Sequence, residues 1–156
     1  MKNPYLRNTG ISLLEVLLSL TIIASITTMA VRYFTVSTLE MRVSHAILQL
    51  KQLTDASYEW LQLQKQNNFS STPSGTSISM EALLKNQLTQ ATIDTINPWG
   101  GNITVEPGDD TSYVKITLEN IPQKACLNIN QQLKSINHSA SNTCTDKKNN
   151  TFSAEF

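Results

Sequence analysis

Between Ile11 and Leu63 the chain has neither proline nor glycine, so nothing in that stretch forces a helix to break. Histidine is nearly as scarce. His45 and His138 are the only two, and neither stands in a HExxH, CxxC or similar ligand spacing, which leaves no donor set for a metal-dependent active site. A G-x-S-x-G elbow is missing, and the Pro107-Gly108-Asp109-Asp110 run lacks the helix that a phosphate loop needs. Asp109 and Asp110 lack the run of spaced acidic ligands that a calcium loop carries, so they read as a solvated turn rather than a calcium site. No polybasic run occurs either. With 12 basic and 12 acidic side chains, the chain shows no dedicated nucleic-acid site. These absences argue against an enzyme and against a bound cofactor.

What the chain has in quantity is apolar surface in one place. Of the 21 residues 11–31, ISLLEVLLSLTIIASITTMAV, 14 are apolar and 6 are Ser or Thr. As a helix they span roughly 32 Å, enough to cross the hydrocarbon core of a bilayer. Glu15 is the only charge among them. A carboxylate inside such a segment costs on the order of 2.5–3.5 kcal/mol at the membrane centre, so it calls for a partner. A signal anchor starting at Val16 would leave Glu15 outside the span, but is a little short.

The ten residues before the span, MKNPYLRNTG, carry Lys2 and Arg7, no acid, and end in Gly10. This is a positive leader on the cytoplasmic side of an apolar segment. No small-residue cleavage site follows the apolar run; the small residue precedes it. Gly10 followed by Ile11-Ser12-Leu13-Leu14-Glu15 resembles the prepilin motif of the type IV pilin superfamily. The resemblance implies cleavage after Gly10 by a prepilin peptidase and N-methylation of Ile11. It further implies pairing of Glu15 with the terminal ammonium of a neighbouring subunit, two buried charges offsetting each other's desolvation. Many pilins carry a proline at the position held here by Arg32, so a kink there is not expected.

Beyond the span, Val36, Leu39, Val43, Ala46, Leu50, Leu53 and Trp60 recur at 3–4 spacing, with Ser57 the weak position. The pattern predicts one helix over residues 11–66, presenting Glu40, Arg42, Gln49, Lys51, Asp55 and Glu59 away from the stripe. The same spacing suits a homodimeric coiled coil, but the strand-like segments that follow need a surface to cover. Residues 67–77 read as a loop, and Ser79 as the cap of a short helix over 80–88. The turn Asn97-Pro98-Trp99-Gly100-Gly101 leads into a strand at 102–106, with Trp99 expected in the core. A tight turn at 107–110 and alternation over 112–118 complete a hairpin with Val114, Ile116 and Leu118 inward. Residues 123–136 have helical composition, with Pro122 in the first turn and Ala125, Cys126, Leu127, Ile129 and Leu133 available for burial. The tail 137–150 is polar, and 151–156 suits a last strand. Four N-x-S/T sequons, at Asn68, Asn102, Asn137 and Asn149, read as polar surface.

Cys126 and Cys144 follow a segment that would place them outside the cytoplasm, where an oxidising compartment favours a disulfide. The order of helix spine, loop, hairpin and cysteine-closed end resembles pilin heads, which implies an α+β, pilin-like fold, a long N-terminal helix packed on a small antiparallel sheet with a C-terminal disulfide. The expected organisation is a leader at 1–10, a membrane or filament-core half-helix at 11–35 and a head at 36–156. The runs NPWGG and IPQKACLNI resemble the type IVb branch. The resemblance implies an inner-membrane precursor that polymerises into an extracellular or periplasmic homo-oligomeric filament with the help of pilus or secretion assembly machinery. Adhesion, motility or DNA uptake would be its use. Minor pilins and the pseudopilins of type II secretion share the motif. A single-pass anchored binding domain that never polymerises is the reading from another class.

Overall fold

The computed structural model describes residues 12–70, 77–86, 94–142, 144–145 and 150–156. Helix α1 runs Leu13–Leu63, followed by α2 Met80–Asn86, β1 Ile103–Pro107, β2 Val114–Ile121, α3 Gln123–Leu133, β3 Ser139–Asn142 and β4 Asn150–Glu155. The chain divides into two units at Thr38 and Leu39. The first contains the proximal part of α1, and the second the distal part with every later element. The α+β expectation holds: α1 passes through Arg32 without a break, and the strands form one antiparallel four-stranded sheet. Of the expected domain limits, the leader at 1–10 and Ile11 lie outside the described residues.

Helix α1 stops without a proline or glycine. Lys65 takes a left-handed conformation (φ 52°), and the amides of Lys65 and Gln66 return to the carbonyls of Gln62 and Leu61. This satisfies the last orphan acceptors of the helix in the manner usually given to glycine. Ser79 caps α2 as expected, its hydroxyl accepting from the Ala82 amide at 3.2 Å.

Within the second unit, Val43, Ala46, Leu50, Leu53, Ala56 and Trp60 of α1 join the core formed by the sheet, Phe69, Ile78, Leu83 and α3. The sheet order is β1-β2-β4-β3. Its register aligns Val105, Ile116 and Ala154 across one row and Ile103, Leu118 and Phe152 across the next, so one sheet face is apolar throughout. The opposite face is polar yet partly closed. There the Thr117 and Ser153 hydroxyls meet at 3.0 Å, and the buried Glu155 carboxylate accepts from the Asp109 amide at 2.8 Å.

Several expectations need correction. Val36 is exposed, so the buried stripe starts later than the spacing suggested. Gln49 is buried instead of facing solvent, because its amide reaches the Asp94 carboxylate (3.1 Å) and the Ile96 carbonyl (3.3 Å). Ser57 is buried too, its hydroxyl satisfied by the Leu53 carbonyl at 2.6 Å. Pro122 is the cap of α3 and extended (φ −60°, ψ 144°), not a first-turn residue. Helix α3 ends at Leu133, short of residue 136, and Leu127 points outward. Trp99 is half-buried against the core, whereas Trp60 is the fully buried tryptophan. The tail read as merely polar contains β3, which pairs along β4 from Ser139–Glu155 to Asn142–Phe152.

One turn depends on a single side chain. The buried Asn97 donates through Nδ2 to the Glu119 carbonyl (2.6 Å), while its Oδ1 accepts from the amides of Trp99 (2.9 Å) and Gly101 (3.1 Å). A Cβ on Gly101 would collide with the Glu119 backbone, so the residue there must be glycine. Asn97→Ala leaves three backbone groups without partners. It should lower head stability by about 2 kcal/mol or more, read as a lower urea midpoint at unchanged slope for detergent-solubilised protein.

Candidate functional site

The proximal part of α1 is built for an apolar environment. Leu13, Leu14, Leu17, Leu18, Leu20, Ile22, Ile23, Ile26, Met29 and Phe34 are all more than half exposed, on every side of the helix. It is the one helix among the described residues long and apolar enough to cross a membrane. Most of its Ser and Thr hydroxyls are satisfied within the helix. Ser19, Thr21, Ser25, Thr27, Thr28 and Thr35 each donate to a carbonyl three or four residues back, at 2.7–2.8 Å. Six polar side chains are thus satisfied without help from their surroundings, which is what an apolar medium requires of any helix placed in it.

Glu15 lies in the first turn of α1, where the helix dipole favours a negative charge. It is exposed, and among the described residues its carboxylate has no ion pair or hydrogen bond. Gly10 and Ile11, the other residues of the expected processing motif, lie outside the described residues.

In the head, Cys126 and Cys144 form the expected disulfide, with Cα atoms 5.7 Å apart. Cys126 sits fully buried in α3, and Cys144 is half-buried at the far end of the loop. Gln123, at the start of α3, reinforces the closure by donating to the Cys144 carbonyl at 3.1 Å. The closed segment contains the outer edge strand β3, whose Ser139 and Ala140 are exposed. The His138 ring stacks on Tyr113 with centroids 4.0 Å apart and planes 7° apart, so the segment is fastened at both ends.

The Asp109–Asp110 turn is held by contacts with its neighbours. Asp109 faces Lys115 across 3.8 Å, and the Asp110 carboxylate accepts from the Ser112 amide at 3.0 Å. Hydrogen bonding to Ser112, helped by nearby His138, holds the Asp110 carboxyl below the usual aspartate range. Its contribution is complete above the ordinary aspartate value and disappears only as pH falls through the lowered one. On the helix side, burial and the neighbouring Tyr113 raise the Tyr58 phenol, which donates to the Phe156 carbonyl at 3.1 Å. His45 is an exposed residue of α1. No group of three or more potential metal ligands occurs among the described residues.

Sequence reasoning missed Asn97, Gln49 and Asn150, all buried polar residues that fasten the head. Asn150 donates to the Ile121 carbonyl at 2.9 Å, where the β2–β4 register shifts and Asn120 adopts φ 57°. For Asn97 the signal was present in Asn-Pro-Trp-Gly-Gly, since an asparagine heading a turn can bond to the backbone beyond it. For Gln49 and Asn150 no local signal exists.

A family model described as PilS N terminal matches residues 47–154, about two thirds of the chain. The match starts inside α1, beyond the apolar stem, and takes in both cysteines and nearly all of β4. No curated protein and no solved structure matches the chain.

A disulfide closing a loop of 18 positions should contribute about 3 kcal/mol in the chain-entropy model. Replacing both cysteines by serine should lower the urea midpoint accordingly. It should also open a protease-sensitive site between residues 134 and 149, detectable by limited trypsin digestion and intact mass.

Proposed function

We infer function from kinship: the chain belongs to the PilS N-terminal family, a type IV pilin-related family, and on that premise we propose that it is a structural subunit of a type IV pilus filament. Such families are structural rather than enzymatic in general. The observation that carries the reading is the stem. The family match begins after residue 46, so the prepilin-like start and the exposed apolar helix are independent support from a different part of the chain.

In this reading the precursor sits in the inner membrane with Lys2 and Arg7 on the cytoplasmic side. A prepilin peptidase cuts after Gly10, and Ile11 becomes the methylated N-terminus. Assembly machinery then transfers the stem from lipid to a bundle of neighbouring stems, where Glu15 receives the ammonium of the next subunit. The transfer exchanges one apolar surrounding for another, so it needs no unfolding of the helix. The head then lies on the filament, with the cysteine-closed segment among its outer surfaces. A minor pilin or a secretion pseudopilin would share every processing step and differ only in abundance and place. Imaging of sheared surface material separates those ranks.

Two substitutions test the reading. Gly10→Val puts a branched side chain in the cleavage site and should leave full-length precursor in the inner membrane, with no filaments. Glu15→Val removes a charge that insertion does not require, so precursor should reach the membrane normally while filament yield drops about tenfold or more, because the ammonium is left buried and unpaired. Undiminished filaments from Glu15→Val would contradict the assembly role.

A further inference from the structure

Residues 12–39 hold two formal charges, Glu15 and Arg32; every other side chain there is apolar, hydroxyl-bearing or Tyr33. Both are exposed, and among the described residues neither has an ion-pair partner. The hydroxyls flanking Arg32 are already taken, Thr28 by the Ala24 carbonyl and Thr35 by that of Arg32 itself. When the stem is enclosed by apolar neighbours, these two charges are therefore the costliest groups whose requirements its own helix leaves unmet. Within one helix they lie 17 positions apart, roughly 25 Å along the axis, too far to meet.

We propose that Arg32 of one copy pairs with Glu15 of a neighbouring parallel copy, and that this ion pair sets an axial stagger of about 25 Å between the two stems. The inference rests on the polymerising stem proposed above and gives Glu15 a second cation beside the terminal ammonium. One carboxylate has room for both, since its two oxygens offer about four lone-pair sites.

The surface around Arg32 suits such a neighbour. Ala24, Thr28 and Arg32 follow one another at four-residue steps on one face, and with Thr27 and Val31 they line a shallow notch. Small side chains at 24 and 28 let another helix approach closely, and the guanidinium at the end of the notch offers a carboxylate two parallel donors.

The geometry also selects the kind of assembly. Seventeen residues place Glu15 and Arg32 on faces about 100° apart around the helix. The copy met through Glu15 is thus a different one from the copy met through Arg32, in a different direction. This is a heterologous contact. Copies that share one orientation in the membrane extend it into an open assembly rather than a closed pair. A symmetric antiparallel dimer would join the same charges only between chains inserted in opposite directions.

A stagger of 17 positions sets Ser19 of one stem beside Val36 of the next. In the otherwise intact chain, Ser19→Cys with Val36→Cys should therefore cross-link subunits of oxidised, sheared filaments into a ladder on a non-reducing gel. The pair Ser19→Cys with Tyr33→Cys, offset by 14, should not. Arg32→Gln should lower filament yield about tenfold at unchanged precursor level, with Arg32→Lys restoring most of it. Filaments of the 19/36 variant that form but fail to cross-link, or full yield from Arg32→Gln, would overturn the pair and leave polymerisation standing. If Arg32→Gln instead depletes precursor from the membrane while filaments per precursor stay constant, the arginine serves the lipid surface and the pair is again refuted. Absence of filaments from the unmodified chain would overturn the polymerising stem along with it.

Discussion

A helix that is apolar on every face has no stable place in water, and this constraint decides how the two parts of α1 are used. Beyond Leu39 the apolar residues narrow to a stripe, and Val43, Leu50, Leu53 and Trp60 are covered by the chain's own sheet. Before it, the large apolar side chains from Leu13 to Phe34 lie on every side of the helix and are exposed among the described residues. Burial at about 25 cal/mol per Å² stabilises the head in the first case and remains available to lipid or to other copies in the second. The six hydroxyls bonded back to the helix remove the polar objection to such burial. Glu15 and Arg32 keep theirs, and charge is where apolar association acquires direction and register.

The head faces the opposite problem, having little core to spare. A domain of about a hundred residues holds only a few kcal/mol in reserve, so local fastenings matter. Here they are buried polar groups at places where the backbone departs from regular pairing. Asn97 ties the turn before β1 to Glu119, and Asn150 spans the irregularity between β2 and β4. Strand β4 is central in the sheet, yet it comes last in the chain and pairs with β2 and β3 only after they are made. The disulfide shortens that search by holding the start of α3 near the approach to β4.

Much of this was legible in the residues. The absence of helix breakers and the 3–4 stripe located α1, and alternation in Val114, Ile116 and Leu118 assigned the inward face of β2. Ser79 marked α2, and the two cysteines marked the crosslink. What could not be read depended on distant partners. Gln49 looks like a solvent residue until Asp94 and Ile96 come to it from 45 and 47 positions away. Ser-Ala-Ser-Asn has no strand propensity to speak of, and it is a strand because β4 offers an open edge. Lys65 carries no stop signal, and it ends α1 by adopting a conformation more typical of glycine. Of the candidate site, the stem and Glu15 were plain from composition. Arg32 stood out in the sequence only as a departure from the family's proline; the hydroxyls bonded back to the helix around it, at Thr28 and Thr35, cannot be read from composition.

The central claim is that a stem freed at Gly10 carries the head into a filament. The most direct measurement is the N-terminal residue, by intact and peptide mass spectrometry, of the chain recovered from sheared surface filaments. The account predicts a chain beginning at methylated Ile11 with the apolar stem retained. A chain still beginning at Met1, or one cut beyond the stem so that the head is released without it, would contradict the account.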